Sequence, residues 1–483
     1  MKRLLTIIFV AIGAGCTVGK DYQRPKLEVE KTYGQAAATQ PTSEPADAQQ
    51  WWKTLNDPML DELVARAIKS NLDLKMAAAR LREARAYRQV VGADQYPQLS
   101  VGAGYTRERL SKNAAPYNAF NAPDFPWAFD VYNVGFDASW EVDLFGGTRR
   151  AVEAANADVQ ARTEAQRGVM LSVIGEVGRN YVELRGYQRG MAIARDNLIL
   201  QQEALRLATD RQTSGLGTDL DVVRVQAQLA TTQSMIPQFT SQQWQAIHRI
   251  AVLLGEDIEP VGKQLIEAKP IPVPPQTVPL GVPAELLRRR PDIRMAERQL
   301  AAASARTGMA EADLYPHLQI GGQFGLTADR GSTFFQRDSR GYSIGPSISW
   351  PIFDGGRVRG VIKVRSAQQD QAMIAYEATV RRAIAEVRDA LVQFTQEHLR
   401  RQSLVEAEKA NASSVTMSQQ LYTKGLSDFL GVLDAQRALL LTQDAVVRSE
   451  MTESTALIAV YKALGGGWED VLPEKPTTQA STK

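Results

Sequence analysis

Residues 342–356 read YSIGPSISWPIFDGG, and this stretch decides the fold. Its first nine residues alternate strictly between apolar or aromatic side chains and Ser or Gly. A period of two residues predicts a β-strand with one apolar face and one face of small, polar residues. The Phe353-Asp354-Gly355-Gly356 sequence then ends the strand, because Gly-rich sequences of this kind mark turns.

The chain after this turn contains no proline before Pro473. Apolar residues in this run are alternately four and three positions apart, which is the seam of a coiled coil; they are Val380, Ile384, Val387, Leu391 and Phe394. The pattern predicts one helix over 356–424, about 100 Å long at the usual rise per residue. The Gly425-Leu426-Ser427 turn then starts a second, antiparallel helix.

The strand and the long helical hairpin occur twice in the sequence. Trp140 and Trp350 end equivalent strands 210 positions apart, and Gly215 and Gly425 lie in equivalent helical turns at the same offset. A repeat of this length indicates an internal duplication, so we expect a pseudo-symmetric α+β fold.

The duplication defines the expected domain organisation. The first repeat covers 57–254, with a helix from Asp57-Pro58 to about Val91 and a β-hairpin at about 98–141. The second repeat covers 284–466, with a β-hairpin at about 317–350. A Pro-rich connector, 255–283, separates them; we expect that no helix continues through it and that the next helix starts at Pro283. Residues 16–56 should be irregular and lie on the surface, and residues 467–483 form a tail.

Four strands of about ten residues are therefore expected, each with one apolar face and one face of Gly, Ser, Gln and Thr. This length and pattern are typical of outer-membrane strands, which are apolar toward lipid and polar toward a wet lumen. The edge of a soluble β-sandwich is the alternative, but the small residues on the polar face disfavour it. Four strands cannot close a barrel, and open edges are not tolerated in lipid. Two, three or four copies must then share one barrel.

The N-terminus has the pattern of an export signal. Residues 1–15 contain a basic start followed by an uncharged apolar core, and Ala14-Gly15-Cys16 follows directly. This segment is too short to span a membrane, so we interpret it as a cleaved signal peptide. Cys16 is the only cysteine, and its context resembles a bacterial lipoprotein box, which implies acylation at Cys16 and sorting to the outer membrane. An unmodified thiol at a mature N-terminus is the alternative.

Composition excludes other classes of function. Lys and Arg number 56 against 54 Asp and Glu, so the chain is close to neutral and gives no electrostatic reason to expect nucleic acid as a partner. The three histidines lie far apart in sequence, outside any metal-ligand spacing. The sequence contains no Walker loop or dinucleotide-binding motif. We therefore expect no enzyme activity and no cofactor.

Several motifs resemble the outer membrane efflux proteins of the TolC type, nearest the lipoprotein branch that includes OprM. They are Tyr315-Pro316, Arg290-Pro291-Asp292-Ile293, Phe353-Asp354-Gly355-Gly356-Arg357 and Leu433-Asp434-Ala435-Gln436-Arg437. The resemblance implies a homotrimer with a 12-stranded outer-membrane β-barrel, continued by a long periplasmic α-helical barrel. It implies as partners a periplasmic adaptor and an inner-membrane pump, of RND type, and as function the export of drugs or other small toxic molecules.

The helical turns at 213–219 and 423–428 are the expected docking tips for the adaptor. Gly215 and Gly425 suit the left-handed conformation that ends a helix. Thr218 and Ser427 are suited to cap the helices that follow. Leu216 and Leu426 are apolar residues at exposed positions, which favours a partner surface over plain turns.

The resemblance also assigns a periplasmic gate. Asp434 matches an acidic residue whose copies form a ring at the narrow mouth, and Leu430 and Arg437 lie on the same helix face at spacings of four and three. A tyrosine–acid hydrogen bond across helices maps onto Tyr422 and Asp221. Gly431 stands where members with two acidic rings carry the first ring, so we expect only one ring here.

The gate residues differ from those of the resembled family at one further position, and they have one alternative interpretation. Ser427 stands where those members carry an arginine that reinforces the tyrosine bond, so we expect a weaker latch. Without the resemblance, Asp434 and Arg437 would be interpreted as a solvated pair on a helix surface.

The sequence leaves three other functions open. A protein-secretion duct of type I or a metal-efflux duct would have the same architecture, because the outer duct makes little chemical contact with its cargo. A non-conducting coiled-coil scaffold would have the apolar seams, but it would not need the four strands with a polar face.

Overall fold

The structure is a computed structural model that describes residues 17–27, 50–111, 127–275 and 289–468. The signal peptide, Cys16, the predicted helix start at Pro283 and nearly all of the tail lie outside these residues. The chain divides into two compact units. Unit 1 contains residues 1–25, 81–161 and 296–376, and unit 2 contains residues 26–80, 162–295 and 377–483.

Unit 1 contains the four predicted strands, which form one antiparallel sheet in the order β1-β2-β3-β4. They are β1 (Gln98–Arg109), β2 (Ala128–Val142), β3 (His317–Ala328) and β4 (Arg340–Ser349). Cross-strand pairing puts Val101, Phe136, Phe324 and Tyr342 in one row, and Gly102, Gly135, Gly325 and Gly341 in the next row on the opposite face. The period of two thus separates an apolar face from a polar face, as the sequence predicts.

The polar face of the sheet is concave. A cavity of about 690 Å³ lies against it, lined by residues of all four strands, among them Ser100, Asp137, Gln323 and Ser343. The apolar face is exposed in the single chain, with Ile344 at 79% exposure. Large exposed apolar surfaces mark sites that another apolar phase covers.

Eight α-helices lie in the described residues. They are α1 (Pro58–Ser70), α2 (Leu72–Ala93), α3 (Gly147–Thr213), α4 (Asp219–Leu254), α5 (Ile258–Leu265), α6 (Pro291–Ala312), α7 (Arg357–Thr423) and α8 (Phe429–Ala463). The helices α3 and α7 both have 67 residues, and α2 and α6 both have 22. These equal lengths confirm the duplication. Among the described residues, no helix combines the length and the apolar character needed to cross a membrane.

Each long helix starts at an aspartate near the end of the preceding strand. Asp143 accepts a hydrogen bond from the backbone N–H of Arg149 at 2.8 Å, and Asp354 accepts one from Val358 at 2.8 Å. A carboxylate on the first free N–H groups satisfies donors that have no partner within the helix and complements the helix dipole. This explains why both helices begin directly after the Gly-rich turns.

Two expectations were wrong in detail, and one helix was not foreseen. The helix from Asp57-Pro58 does not continue to Val91, because it breaks at Asn71, whose side chain accepts a hydrogen bond from Leu74 N–H at 2.9 Å. The short helix α5 forms within the described part of the connector and includes Pro260 in its first turn, where proline is tolerated. The segment before residue 57 was expected to be irregular and on the surface, yet Trp51–Leu55 is a short 3₁₀ helix with Trp51 fully buried.

The core of unit 2 surrounds this tryptophan. The rings of Trp51 and Tyr461 stack at 5.6 Å, and α1, α3, α4 and α8 contribute the surrounding buried residues. Asp57 joins two of these helices, since it accepts hydrogen bonds from Met59 N–H at 2.9 Å and from the Tyr181 hydroxyl at 2.7 Å. Burial of this cluster holds α3 beside α1 without any contribution from the sheet.

Candidate gate and docking tips

The two predicted helical turns have nearly the same geometry. Gly215 and Gly425 have φ angles of 74° and 72°, a conformation that costs other residues backbone strain. Leu216 N–H donates to Arg211 C=O at 2.8 Å, and Leu426 N–H donates to Leu421 C=O at 2.9 Å. Each glycine N–H also donates to the carbonyl three residues earlier. These paired bonds are the Schellman motif, which satisfies the last carbonyls of α3 and α7.

The residue after each glycine is a leucine that points into solvent. Leu216 is 71% exposed and Leu426 is 72% exposed in the single chain. The second turn presents the same exposed apolar side chain as the first, 210 positions later. Their exposure agrees with the sequence-based expectation of apolar tips, whereas their role as docking residues stays a prediction.

The helices after the turns are capped differently from one another. Thr218 and Asp221 form a capping box at the start of α4, in which the Thr218 hydroxyl donates to Asp221 Oδ2 at 2.8 Å and Asp221 N–H donates to Thr218 Oγ1 at 3.3 Å. The expectation that Ser427 caps the second helix was wrong. The N-cap of α8 is Asp428, whose carboxylate accepts from Gly431 N–H at 3.3 Å.

A small apolar core lies directly behind the turns; we refer to it as the tip cluster. Its buried members come from the ends of α3 and α7 and the starts of α4 and α8, namely Ala204, Ala208, Val225, Tyr422, Phe429, Val432 and Leu433. The Tyr422 and Phe429 rings meet edge to face at 4.9 Å. The two helical hairpins are therefore packed against each other at their tips.

Arg211 links the hairpins and was not found by sequence reasoning. Its guanidinium lies 4.5 Å from the centre of the Tyr422 ring, and it donates a hydrogen bond to the Tyr422 backbone carbonyl. A cation at this carbonyl complements the C-terminal end of α7 as well as the ring. One signal was available, since the repeat equivalent of Arg211 is Leu421, and a charged residue opposite an apolar one breaks the duplication.

The tyrosine–acid pair that the resemblance assigns is arranged differently within the chain. The Asp221 carboxylate accepts hydrogen bonds from Thr218, and the described residues contain no hydrogen bond between Asp221 and Tyr422. Burial raises the pKa of Tyr422, with Arg211 acting to lower it and Asp221 to raise it further. The charged group in contact with the Tyr422 ring is therefore the guanidinium of Arg211 and not the Asp221 carboxylate.

Leu430, Asp434 and Arg437 lie together on the exposed face of α8. The intervening residues Val432, Leu433 and Gln436 are buried against the other helices. Within the described part of one chain, neither Asp434 nor Arg437 forms an ion pair. Both charged residues are exposed in the single chain.

The residues that follow Cys16 are held against unit 1. Val18 N–H donates to Phe145 C=O at 2.9 Å, and Arg150 donates to Gly19 C=O and to Asp21 Oδ1, both at 2.9 Å. The Tyr22 hydroxyl donates to Glu297 at 2.8 Å. Because Phe145 lies in the turn between β2 and α3, this segment begins beside the junction of strand and helix.

Comparisons with known proteins agree in their description. A family model described as outer membrane efflux protein matches residues 63–256 and 282–466. The chain is 32% identical over 431 residues to the pyoverdine export outer membrane protein OpmQ of Pseudomonas aeruginosa, covering 88% of this chain and 89% of that protein. It is 31% identical to the outer membrane protein OprJ of the same species, covering 96% and 95%. The solved outer-membrane channel OprN matches with a TM-score of 0.87 at 37% identity, covering 94% of this chain and 100% of that one.

Proposed function

Because this chain belongs to the outer membrane efflux protein family, it is the outer-membrane exit duct of an efflux system, and we propose that three copies build one channel. The observation that carries the trimer is the sheet of unit 1. It has four strands, an apolar face exposed in the single chain, a concave polar face, and β1 and β4 as its two edges.

The edges supply the physical reason for assembly. An edge strand in lipid leaves a row of backbone donors and acceptors with no partner, at a cost of several kcal/mol for each group. Pairing β4 of one copy with β1 of the next removes every edge. Three copies give twelve strands, with polar faces around a wet lumen and apolar faces toward lipid. The long helices then form the periplasmic part of the duct.

The proposed cargo and partners follow from the function of an exit duct. A duct without a catalytic site needs an energy source elsewhere, which an inner-membrane pump of RND type would supply through a periplasmic adaptor. Drugs or other small toxic molecules are the cargo class that this arrangement would carry. The exposed leucines at the two tips are the surface that the adaptor would cover.

Acylation of Cys16 fits the position of the segment that follows it. Residues 17–21 are bonded beside the end of β2, where an outer-membrane strand would leave the bilayer. An acyl chain on Cys16 would therefore enter the periplasmic leaflet. Mass spectrometry of the mature N-terminus tests this, and an unmodified Cys16 or a retained Met1 would contradict it.

The gate follows from the exposed face of α8. In a trimer, three Asp434 carboxylates around a narrow axis would repel one another and favour cations, and Arg437 could pair with an acid of the neighbouring copy. Tyr422 and Asp221 would contribute to the closed arrangement of the tips. Replacement Asp434→Ala should lower cation selectivity in planar bilayers without changing the amount of assembled channel.

The adaptor proposal is tested by a charge at the tip. Leu426→Glu should leave trimers intact, because the side chain is exposed, and should remove drug resistance, because a buried carboxylate would oppose docking. Val252→Glu is the matched control, since Val252 is 71% exposed and lies far along α4 from the turn. Resistance and adaptor cross-linking that both survive Leu426→Glu would remove the tips from the docking surface.

A further inference from the structure

Three arginines lie on the apolar face of the sheet, near the ends of the strands that carry the hairpin loops. Arg107 and Arg109 continue the row of Leu99, Val101 and Tyr105 along β1, and Arg340 continues the row of Tyr342 and Ile344 along β4. The face is fixed by contacts, since the Tyr105 hydroxyl donates to Asp130 at 2.9 Å and Arg107 lies 3.8 Å from the same carboxylate. All three arginines are exposed.

A belt of tyrosines separates these arginines from the apolar rows. Tyr105 is paired with Tyr132, with ring centres 5.0 Å apart, and Tyr342 follows Arg340 on β4 in the direction away from the loop. Aromatic residues with polar tips mark the interface between hydrocarbon and head groups. The order from the helices toward the loops is therefore apolar rows, tyrosines and then arginines.

The belt is level if the strands are tilted as membrane strands are. Tyr105 pairs with Tyr132, which in turn pairs with Ala328 on β3. Tyr342 pairs with Phe324, which lies four residues from Ala328 along the same strand. Four residues along a strand are about 13 Å, and three strand spacings are about 14 Å. The tyrosines on β1 and β4 are at one height for a tilt of about 42°, within the range of known barrels.

The tryptophans at the other end of the strands shift in the same direction. Strand pairing places Trp140 in the same row as Pro346 on β4. Trp350 lies four residues beyond Pro346, closer to the helices. Each indole N–H donates to a carbonyl just before a strand, Trp140 to Gln95 at 3.2 Å and Trp350 to Leu314 at 3.0 Å. The tyrosines and the tryptophans thus form two aromatic belts, one on each side of the apolar band, and both belts are inclined in the same direction relative to the strand register.

The arginines lie on the two edge strands, so assembly brings them together. In the proposed trimer, Arg340 of one copy approaches Arg107 and Arg109 of the next copy across each seam. Within the four described strands, Asp130 is the one acid on this face beyond the tyrosines, and it is engaged by Tyr105 and Arg107. Among the same residues, neither Arg109 nor Arg340 forms an ion pair.

We propose that each seam between copies holds a phosphate group of the phosphorylated glycolipid in the outer leaflet, bound by Arg107, Arg109 and Arg340. The inference rests on the proposed outer-membrane trimer. Guanidinium groups match phosphate geometry with paired N–H donors. Arginines at the height of the head groups face anions on the lipid side, where neither lumen nor cargo is present. Bound lipid would join adjacent copies at their outer rim.

The test uses the full-length channel extracted in mild detergent. The variant Arg107→Gln/Arg109→Gln/Arg340→Gln is compared with Arg195→Gln/Arg206→Gln/Arg224→Gln, which removes three exposed arginines from α3 and α4. Purified lipopolysaccharide should raise the Tm of wild type and of the helix variant. At about 1 kcal/mol per arginine near a charged surface, the rim variant should bind about a hundredfold more weakly.

Three further measurements distinguish the sources of the effect. Lipopolysaccharide stripped of its phosphates should not raise the Tm of wild type, and inorganic phosphate alone should not either. The Lys substitutions at the three rim positions keep the charge but lose the paired N–H donors, so that variant should bind more weakly than wild type and more tightly than the Gln variant. It also covers the case in which the Gln variant fails to assemble. Equal binding by the rim and helix variants, an equal effect of stripped lipid, or a full effect of inorganic phosphate would each overturn the proposal. Conductance of wild type in bilayers without this lipid reports separately on the proposed channel.

Discussion

Arg211 occupies the position at which a single side chain joins the two hairpin tips. It contributes a charge-assisted hydrogen bond to the last turn of α7 and a cation–π contact to Tyr422, two interactions each of about 1–2 kcal/mol. The resemblance places a latch at Tyr422 and predicts a weak one because Ser427 replaces the usual arginine. An arginine is nevertheless present, and it comes from the other hairpin.

Replacing Arg211 by Ala should therefore loosen the closed tips. Loss of about 1–3 kcal/mol would raise the open fraction of the channel by about 5- to 150-fold, measured as basal conductance in planar bilayers. Arg206→Ala is the control, because Arg206 is exposed and lies 4.0 Å from an equally exposed Glu203. Unchanged conductance in Arg211→Ala would show that the contact serves folding alone.

Glu450 gives a second prediction at the scale of one residue. Burial raises the pKa of its carboxyl group, which Arg189 at 3.6 Å and Arg401 offset only in part. A raised pKa means that the folded state is favoured when the group is protonated. Stability from this group is complete below the pKa of the unfolded chain and is lost as the pH rises through the higher folded value.

The variant Glu450→Gln should accordingly have a higher Tm than wild type at pH 7.5, with the difference shrinking toward pH 4. Thermal unfolding of detergent-solubilised protein across this range provides the measurement. Glu203→Gln, at an exposed site, serves as the control. A Tm difference that is the same at both pH values would mean that the change acts through packing and not through the proton.

At the scale of the element, the two helical turns need glycine for its backbone conformation, and not because a larger side chain would lack space. A Cβ at Gly215 would meet no atom within 4 Å, and one at Gly425 would meet Arg211 at an ordinary 3.8 Å. The cost of Gly425→Ala is therefore the positive φ, about 1 kcal/mol. We expect a lower Tm and faster trypsin cleavage at Lys424.

Gly331→Ala is the matched control for this element. Gly331 lies in the β3–β4 loop, a Cβ there would also meet nothing within 4 Å, and its φ is not positive. A loss of stability in Gly331→Ala as large as in Gly425→Ala would contradict the backbone argument.

The elements differ in how far sequence alone could predict them. The strands and the long helices follow from local period, so their ends were placed within a few residues. The cap of α8 was misplaced because Ser427 and Asp428 are both capping residues, and only the structure selects the carboxylate. The break at Asn71 and the burial of Trp51 depend on partners far away in sequence, Leu253 and Tyr461, which no local pattern contains.

At the scale of the whole molecule, the assignment of the two faces of the sheet can be tested with neighbouring residues. Ser343 and Ile344 are adjacent on β4 and point to opposite faces, Ser343 in the row of Asp137 and Gln323, and Ile344 lying 79% exposed in the apolar row. If the apolar face meets lipid, Ile344→Lys places a charge in hydrocarbon at a cost of about 2–4 kcal/mol, whereas Ser343→Lys places it in water. We expect Ile344→Lys to reduce folded trimer in the outer-membrane fraction strongly. Ser343→Lys should assemble at the wild-type level and conduct with lower cation selectivity, because three added positive charges then surround the lumen. The opposite ranking of the two variants would mean that the polar face meets lipid, and equal assembly of both would mean that neither face does.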